Sequence, residues 1–194
     1  MALSASNIKI ELREILLKDR PQSLYDISSK GTVPVLQIND NHIIDESLQI
    51  MIWAIEQSKL NWIKISPKEQ YKLISINDND FKFWLNKYKY SDRFPEYSFE
   101  YYQKKCEQIL CSHDQILQHN KYFFSNEIQL ADVAVFPLIR QCEHVDSNWF
   151  ENTFPNLNRW FNDIKSSNLF LSVMNKYTIW NQKDCGIIIQ FHSQ

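Results

Sequence analysis

Lys30-Gly31-Thr32-Val33-Pro34-Val35-Leu36 is the stretch on which the reading of the first part of this chain turns. Proline has no N–H to give a sheet ladder, so Pro34 at the start of a strand is an edge residue or a cis peptide in a tight turn. Val33, just before it, is held extended. An extended residue that turns its N–H and C=O outward can add a short peptide as a further strand. An ordinary trans proline opening the strand remains open as well, because only roughly 5% of X–Pro bonds are cis.

The surroundings of this stretch read as α/β. Val35-Leu36-Gln37-Ile38, the turn Asn39-Asp40-Asn41, and His42-Ile43-Ile44 make a short hairpin. Upstream, residues 8 to 15 alternate apolar and charged at period two, the pattern of a half-buried strand. Asn7 tolerates the left-handed conformation that ends a helix, so Met1 to Ser6 read as the last turn of one. Downstream, Leu48, Met51, Ile52 and Ile55 stripe a helix from Ser47 to about Glu56. At its start, Asp45-Glu46-Ser47 joins strand to helix. Free amides and the macrodipole attract a carboxylate to Ser47, while Glu46 suits an ammonium, so together they suit an amino-acid head group. Taken singly, Ser47 is also an ordinary N-cap and Glu46 an ordinary first-turn acid.

Beyond Lys59 the pattern is helical only. Ser66-Pro67-Lys68-Glu69 reads as a capping box with proline at the first helical position. Tyr71, Ile74, Phe81, Leu85 and Tyr88 stripe the helix that follows, but Asn77-Asp78-Asn79-Asp80 sets four poor helix formers in its middle, predicting a kink or a widened turn. Tyr102, Cys106, Ile109, His113 and Ile116 line a second helix, and Leu130 to about Cys142 form a third, apolar nearly all round. Pro155 opens a fourth through Trp160, Phe161 and Ile164, and Leu169 to Tyr177 predict a fifth. The expected domains are 1–58, α/β, and 59–194, all-α.

Composition excludes several classes. Two glycines, where average usage would supply about fourteen, cannot build a G-x-G-x-x-G fingerprint, and Gly31 and Gly186 are too far apart for a G-x-x-x-x-G-K loop. With 21 basic and 23 acidic residues, net charge -2, nucleic acid is not an expected partner. No stretch approaches 18 apolar residues, and the first seven residues lack the basic and apolar regions of a signal peptide. No membrane association is expected, and the location expected is the cytoplasm. Four cysteines without a C-x-x-C pair fit a reducing compartment: Cys106, Cys111 and Cys142 read as small core residues and Cys185 as an exposed tail thiol. His42, His113, His119, His144 and His192 show no metal-ligand spacing, so no metal is expected. Trp84, Tyr88 and Trp180 are candidates for an apolar substrate wall, with core packing as the alternative.

Several motifs in order resemble cytosolic glutathione S-transferases, most nearly a bacterial, cysteine-type, omega-like branch. They are Glu11-Leu12-Arg13-Glu14, Lys18-Asp19-Arg20-Pro21, Lys30 to Leu36, and Ile44-Asp45-Glu46-Ser47 with Trp53. The second half agrees through Lys87 to Pro95, Leu130 to Gln141, and Phe154 to Trp160. The resemblance implies a thioredoxin-like N-terminal domain followed by the family's helical C-terminal domain. It makes Pro34 the cis-proline and pairs the Val33 backbone with the cysteinyl part of glutathione. It gives Glu46 and Ser47 the γ-glutamyl head group and Arg20 the glycine carboxylate, where the branch tends to carry lysine; arginine keeps the charge and adds a planar fork.

Departures from the family are equally specific. Gln129 stands where a Ser or Thr usually caps the helix of Asp132, with Ile128 and Val133 still able to form a hydrophobic staple, and Ser125 replaces a usual glycine. The family's nucleophile, in this branch a Cys-Pro-Tyr run after the first strand, aligns before Met1. No catalytic residue is therefore assigned, and the N-terminal domain is expected to be incomplete, without its first strand. A shortened record, a genuinely short protein without thiol chemistry, and a substitute strand from the tail Cys185 to Phe191 are the explanations open. What the resemblance implies is detoxification chemistry in a homodimer, with glutathione as co-substrate and a small electrophile or mixed disulfide as second substrate. The alternative is a non-catalytic, transferase-like interaction module.

Overall fold

A computed structural model describes residues 1–191, so His192 lies outside the described residues. The chain divides into two compact units, Met1–Leu60 joined by the segment from Asn168 onward, and Asn61–Ser167.

In the first unit, helix α1 (Ala2–Ala5) runs out at Asn7, whose φ of 53° is the left-handed conformation predicted for it. Strand β1 (Ile10–Leu12) occupies only the middle of the alternating stretch. Helix α2 (Gln22–Ile27) follows, then strands β2 (Leu36–Asn39) and β3 (His42–Ile44), and helix α3 (Ser47–Glu56). The hairpin pairs Leu36 with Ile44 and Gln37 with Ile43, then slips in register at its Asn39 end. Ala2, Leu24, Ile50, Ala54 and Ile55 are buried, and α1 packs on α3.

The tail belongs to this unit. Strand β4 (Ile187–Ile189) runs antiparallel to β1, pairing Ile10 with Ile189 and Leu12 with Ile187. Its β-branched residues suit a strand. The Trp180 N–H donates to Glu14 O at 2.7 Å and the Gly186 N–H to Glu11 Oε1 at 3.0 Å. The Arg13 guanidinium lies 4.7 Å over the Trp180 ring. The tail therefore grips β1, while β2 and β3 stay a separate sheet. The helix predicted from Leu169 to Tyr177 shrinks to one turn, Asn168–Leu171.

The second unit is helical throughout. Helix α4 (Pro67–Ile76) begins at Pro67, but Ser66 sits at φ 46°, ψ 53° and makes no side-chain cap. A capping serine needs extended backbone to aim its oxygen at the free amides, so proline alone marks this start and the expected capping box is not formed. Asn77–Phe81 is a π-helical turn, the widened turn predicted from its four polar residues. Helices α5 (Lys82–Lys89), α6 (Phe99–Ile116), α7 (Leu130–Glu143), α8 (Ser147–Thr153) and α9 (Pro155–Lys165) complete the unit. Asp114 accepts the Asn156 and Leu157 amides at the start of α9, both at 2.8 Å. Arg159 on α9 returns its guanidinium to the Leu117 and Asn120 carbonyls beyond α6, at 2.8 and 2.9 Å.

The core of this unit is aromatic: Phe123, Phe136, Phe150, Phe154, Trp160 and Phe161 are all buried. Within it Asp132 accepts from Trp160 Nε1 at 2.7 Å, Phe123 N at 3.0 Å and Gln129 N at 2.8 Å. Asp132 thus supplies the backward half of the α7 cap, which lowers the cost of glutamine at the N-cap position. Cys106 and Cys142 are core residues as expected; Cys111, also expected inside, is exposed because five residues along α6 turn it away from the buried face. Among the described residues no helix is long and apolar enough to cross a membrane.

Candidate functional site

The loop carrying Val33 and Pro34 is shaped by one glycine. Gly31 has φ +58°, and a Cβ there would lie 2.2 Å from Tyr25 Cε1 of α2, so both backbone angle and space demand glycine. Its N–H donates to Ser28 O at 3.0 Å, closing the turn. Thr32, Val33 and Pro34 then run along the surface, and the Val33–Pro34 peptide is cis. Among the described residues neither the N–H nor the C=O of Val33 enters a backbone hydrogen bond, and its side chain is 46% exposed. An apolar residue with both backbone groups open is what an added extended peptide would pair with.

The second element is the start of α3. Glu46 is its N-cap, in extended conformation, and Ser47 its first helical residue. The first helical bond runs from the Ile50 N–H to Glu46 O at 3.0 Å, leaving the Ser47, Leu48 and Gln49 amides without intrahelical acceptors. Glu46 does not cap them with its side chain. Its carboxylate turns instead to Lys30, whose Nζ donates to Glu46 Oε1 at 2.5 Å and to Asp45 Oδ1 at 3.0 Å. Asp45 Oδ2 accepts from the buried Ser28 hydroxyl at 2.8 Å. The loop and the strand-to-helix junction are therefore tied together by Ser28 and Lys30. The Lys30 ammonium, and then the Ser28 hydroxyl, hold the Asp45 carboxyl below its usual range. Glu46, and then Asp45, hold Lys30 above its own.

Of the predicted site residues, Glu46 and Ser47 are neighbours at the tip of α3, and Val33 and Pro34 lie on the loop that Lys30 anchors to that tip. Arg20 lies apart in this respect. It is exposed just before α2, and among the described residues no hydrogen bond or ion pair joins it to Val33, Glu46 or Ser47. Ser28, Lys30 and Asp45 complete the cluster; Lys30 and Asp45 stand in the quoted motifs but carry no site role in the sequence reading, and Ser28 stands outside those motifs. The acid pair is the visible signal, but its partners are 15 to 17 residues away along the chain. As chemistry, the assembly offers free amides for a carboxylate, two acids for an ammonium, and, at the bend of Val33, backbone groups left open.

The remaining candidates fall elsewhere. Tyr88 is buried in the second unit, where burial pushes its phenol up, so it serves as core and not as an exposed wall. Trp84 packs edge-on to Tyr101, with ring centroids 6.4 Å apart, and Trp180 belongs to the tail clasp. Among the described residues no group of at least three His, Cys, Asp or Glu could hold a metal ion.

Comparison with known proteins bears on the family and the fold. Residues 1–62 match the family Glutathione S-transferase, N-terminal domain, and residues 80–168 match Glutathione S-transferase, C-terminal domain. No curated protein sequence matches the chain significantly. Among solved structures, a possible glutathione S-transferase from Rhodopseudomonas palustris superposes with TM-score 0.73 at 14% identity, over 94% of this chain and 86% of that one. The bacterial glutathione S-transferase BphK, in a ternary complex, gives 0.71 at 16% identity over 88% of each chain. Glutathione S-transferase-I with bound lactoylglutathione gives 0.64 at 16%, over 81% of this chain and 79% of that one. These likenesses show the fold, a thioredoxin-like domain with small sheets and a helical second domain. The two family matches, in order and covering most of its length between them, assign the chain to the glutathione S-transferase family.

Proposed function

We propose that this chain is a glutathione-binding, glutathione S-transferase-like protein. The Val33 backbone pairs the cysteinyl residue beside Pro34, Ser47 and the free α3 amides take the γ-glutamyl carboxylate, Glu46 takes the ammonium, and Arg20 takes the glycine carboxylate. The observation that carries the reading is the pairing of an acid cluster with a helix tip, since the two ends of an amino-acid head group need opposite partners a few ångströms apart. A bound glutathione derivative in a protein of the same fold supports it.

The chemistry that goes with this reading is conjugation of glutathione to a small electrophile or reduction of a mixed disulfide, in a cytoplasmic homodimer of the bacterial, cysteine-type branch. That chemistry needs a thiolate held near a helix N-terminus. No residue of this sequence matches the family's nucleophile, so the assignment to these residues is binding. Retention on immobilised glutathione, weakened about tenfold or more by Ser47→Ala and by Arg20→Ala, is the expected outcome. A chain that is not retained, at low salt and high protein concentration, fits the non-catalytic interaction module instead.

A further inference from the structure

Lys30 sits where the reading above puts a ligand atom. Its Nζ is a primary ammonium with three N–H donors, bonded to Glu46 Oε1 at 2.5 Å and Asp45 Oδ1 at 3.0 Å. The α-ammonium of a γ-glutamyl group is the same functional group. The two acids are not equivalent. The Glu46 side chain is 63% exposed and that of Asp45 only 29%, and the second Asp45 oxygen is already held by Ser28. Glu46 is thus the partner solvent and ligand can reach, and Asp45 the one that keeps its lysine.

Resting on the glutathione-binding reading, we propose that Lys30 is a built-in stand-in for the ligand's ammonium. Its Nζ occupies the place on Glu46 that the γ-glutamyl ammonium takes, so the ligand binds by exchanging one ammonium for another while Asp45 retains the displaced lysine. The exchange breaks no covalent bond and moves no proton. It keeps Glu46 paired in the free protein and makes it respond to a ligand only when that ligand brings a cation of its own. A peptide with the same shape but no amine leaves the Lys30–Glu46 pair intact, so the cost of the exchange falls only on ligands that bring an ammonium, and Lys30 narrows their advantage over amine-free analogues. An exposed pair of this kind is weak, which sets the penalty on glutathione affinity at no more than about fivefold.

Calorimetric titration of the full chain tests this with two ligands, glutathione and its analogue lacking the γ-glutamyl amine. Lys30→Met should bind glutathione about two- to fivefold more tightly than the unaltered protein, and the analogue equally well. Lys30→Arg should behave like the unaltered protein. In a Glu46→Gln background the gain from Lys30→Met should vanish, since the effect passes through that carboxylate. Equal or weaker glutathione binding by Lys30→Met overturns the stand-in role, as does a gain that survives Glu46→Gln. If the unaltered protein and Lys30→Met both fail to bind glutathione, the binding reading itself falls, and the stand-in with it.

Discussion

The indole N–H of Trp160 meets the carboxylate of Asp132 at 2.7 Å, and both side chains have 0% exposure. That single acid joins three parts of the second unit, because it also accepts the Phe123 and Gln129 amides. Removing it strands three donors away from water, each costing about 1–3 kcal/mol. Asp132→Ala should lower unfolding free energy by roughly 4 kcal/mol, read as a shifted urea midpoint at unchanged slope. A loss below about 1 kcal/mol would show that water replaces the carboxylate.

Asp132 shares a neighbour with His113, since Phe123 gives its N–H to one and lies edge-on to the ring of the other, with centroids 5.5 Å apart. Burial pushes Asp132 up from 3.8 to about 6 and His113 down from 6.5 to about 4. Between pH 4 and 6 the folded state holds the Asp132 proton that the unfolded state has released, so this group favours folding less as pH rises. His113 does the reverse: the unfolded state holds its proton and the folded state does not. Each slope amounts to about 3 kcal/mol across the window, with opposite sign. The unaltered protein should therefore keep a nearly constant urea midpoint from pH 4 to 6. His113→Phe should lose stability as pH rises through the same range, and Asp132→Asn should gain it.

How much of this was legible in the sequence differs by element. The stripes of α6, α7 and α9 were, because a buried helix face repeats every three or four residues wherever it packs. Helix α2 was not, since six residues make less than two turns of pattern. Helix α8 carries a usable signal in its N-cap acid, since Asp146 accepts the Trp149 N–H at 2.8 Å. Ser66 misled for the opposite reason, having the right residue type in a left-handed conformation that a residue string does not display. At the candidate site, Val33, Pro34, Glu46 and Ser47 were readable as local motifs, whereas Lys30 gained its place only when folding brought it to acids 15 and 16 positions away.

The turn at Gly31 separates two physical demands that can be tested apart. Gly31→Ala imposes a left-handed alanine, costing about 1–2 kcal/mol, and drives a methyl group into the Tyr25 ring. Glutathione affinity should fall several-fold as the Lys30 to Val33 loop shifts. Adding Tyr25→Ala should recover part of that loss by opening the space, while the backbone strain persists. Full recovery in the double variant would mean that the φ of Gly31 is not what holds the loop.

The tail makes the sharpest structural test, because its grip on β1 depends on backbone contact. At Gly186 an added Cβ would lie 2.6 Å from Leu12 O, and a backbone atom in a paired strand cannot step aside as a side-chain tip can. Gly186→Val should therefore release β4 from β1, even though valine by itself favours strands. The consequence is local. Amides of residues 10–12 and 187–189 should exchange with deuterium faster by an order of magnitude or more, while global stability falls by only about 1 kcal/mol. Trp180 should move with them, since it leaves Arg13 and Glu14 when the segment lifts, and its fluorescence should shift toward that of an exposed indole. Unchanged exchange in residues 10–12 would mean that the Trp180 anchor holds the strand without Gly186, and that the close approach to Leu12 adds nothing to the clasp.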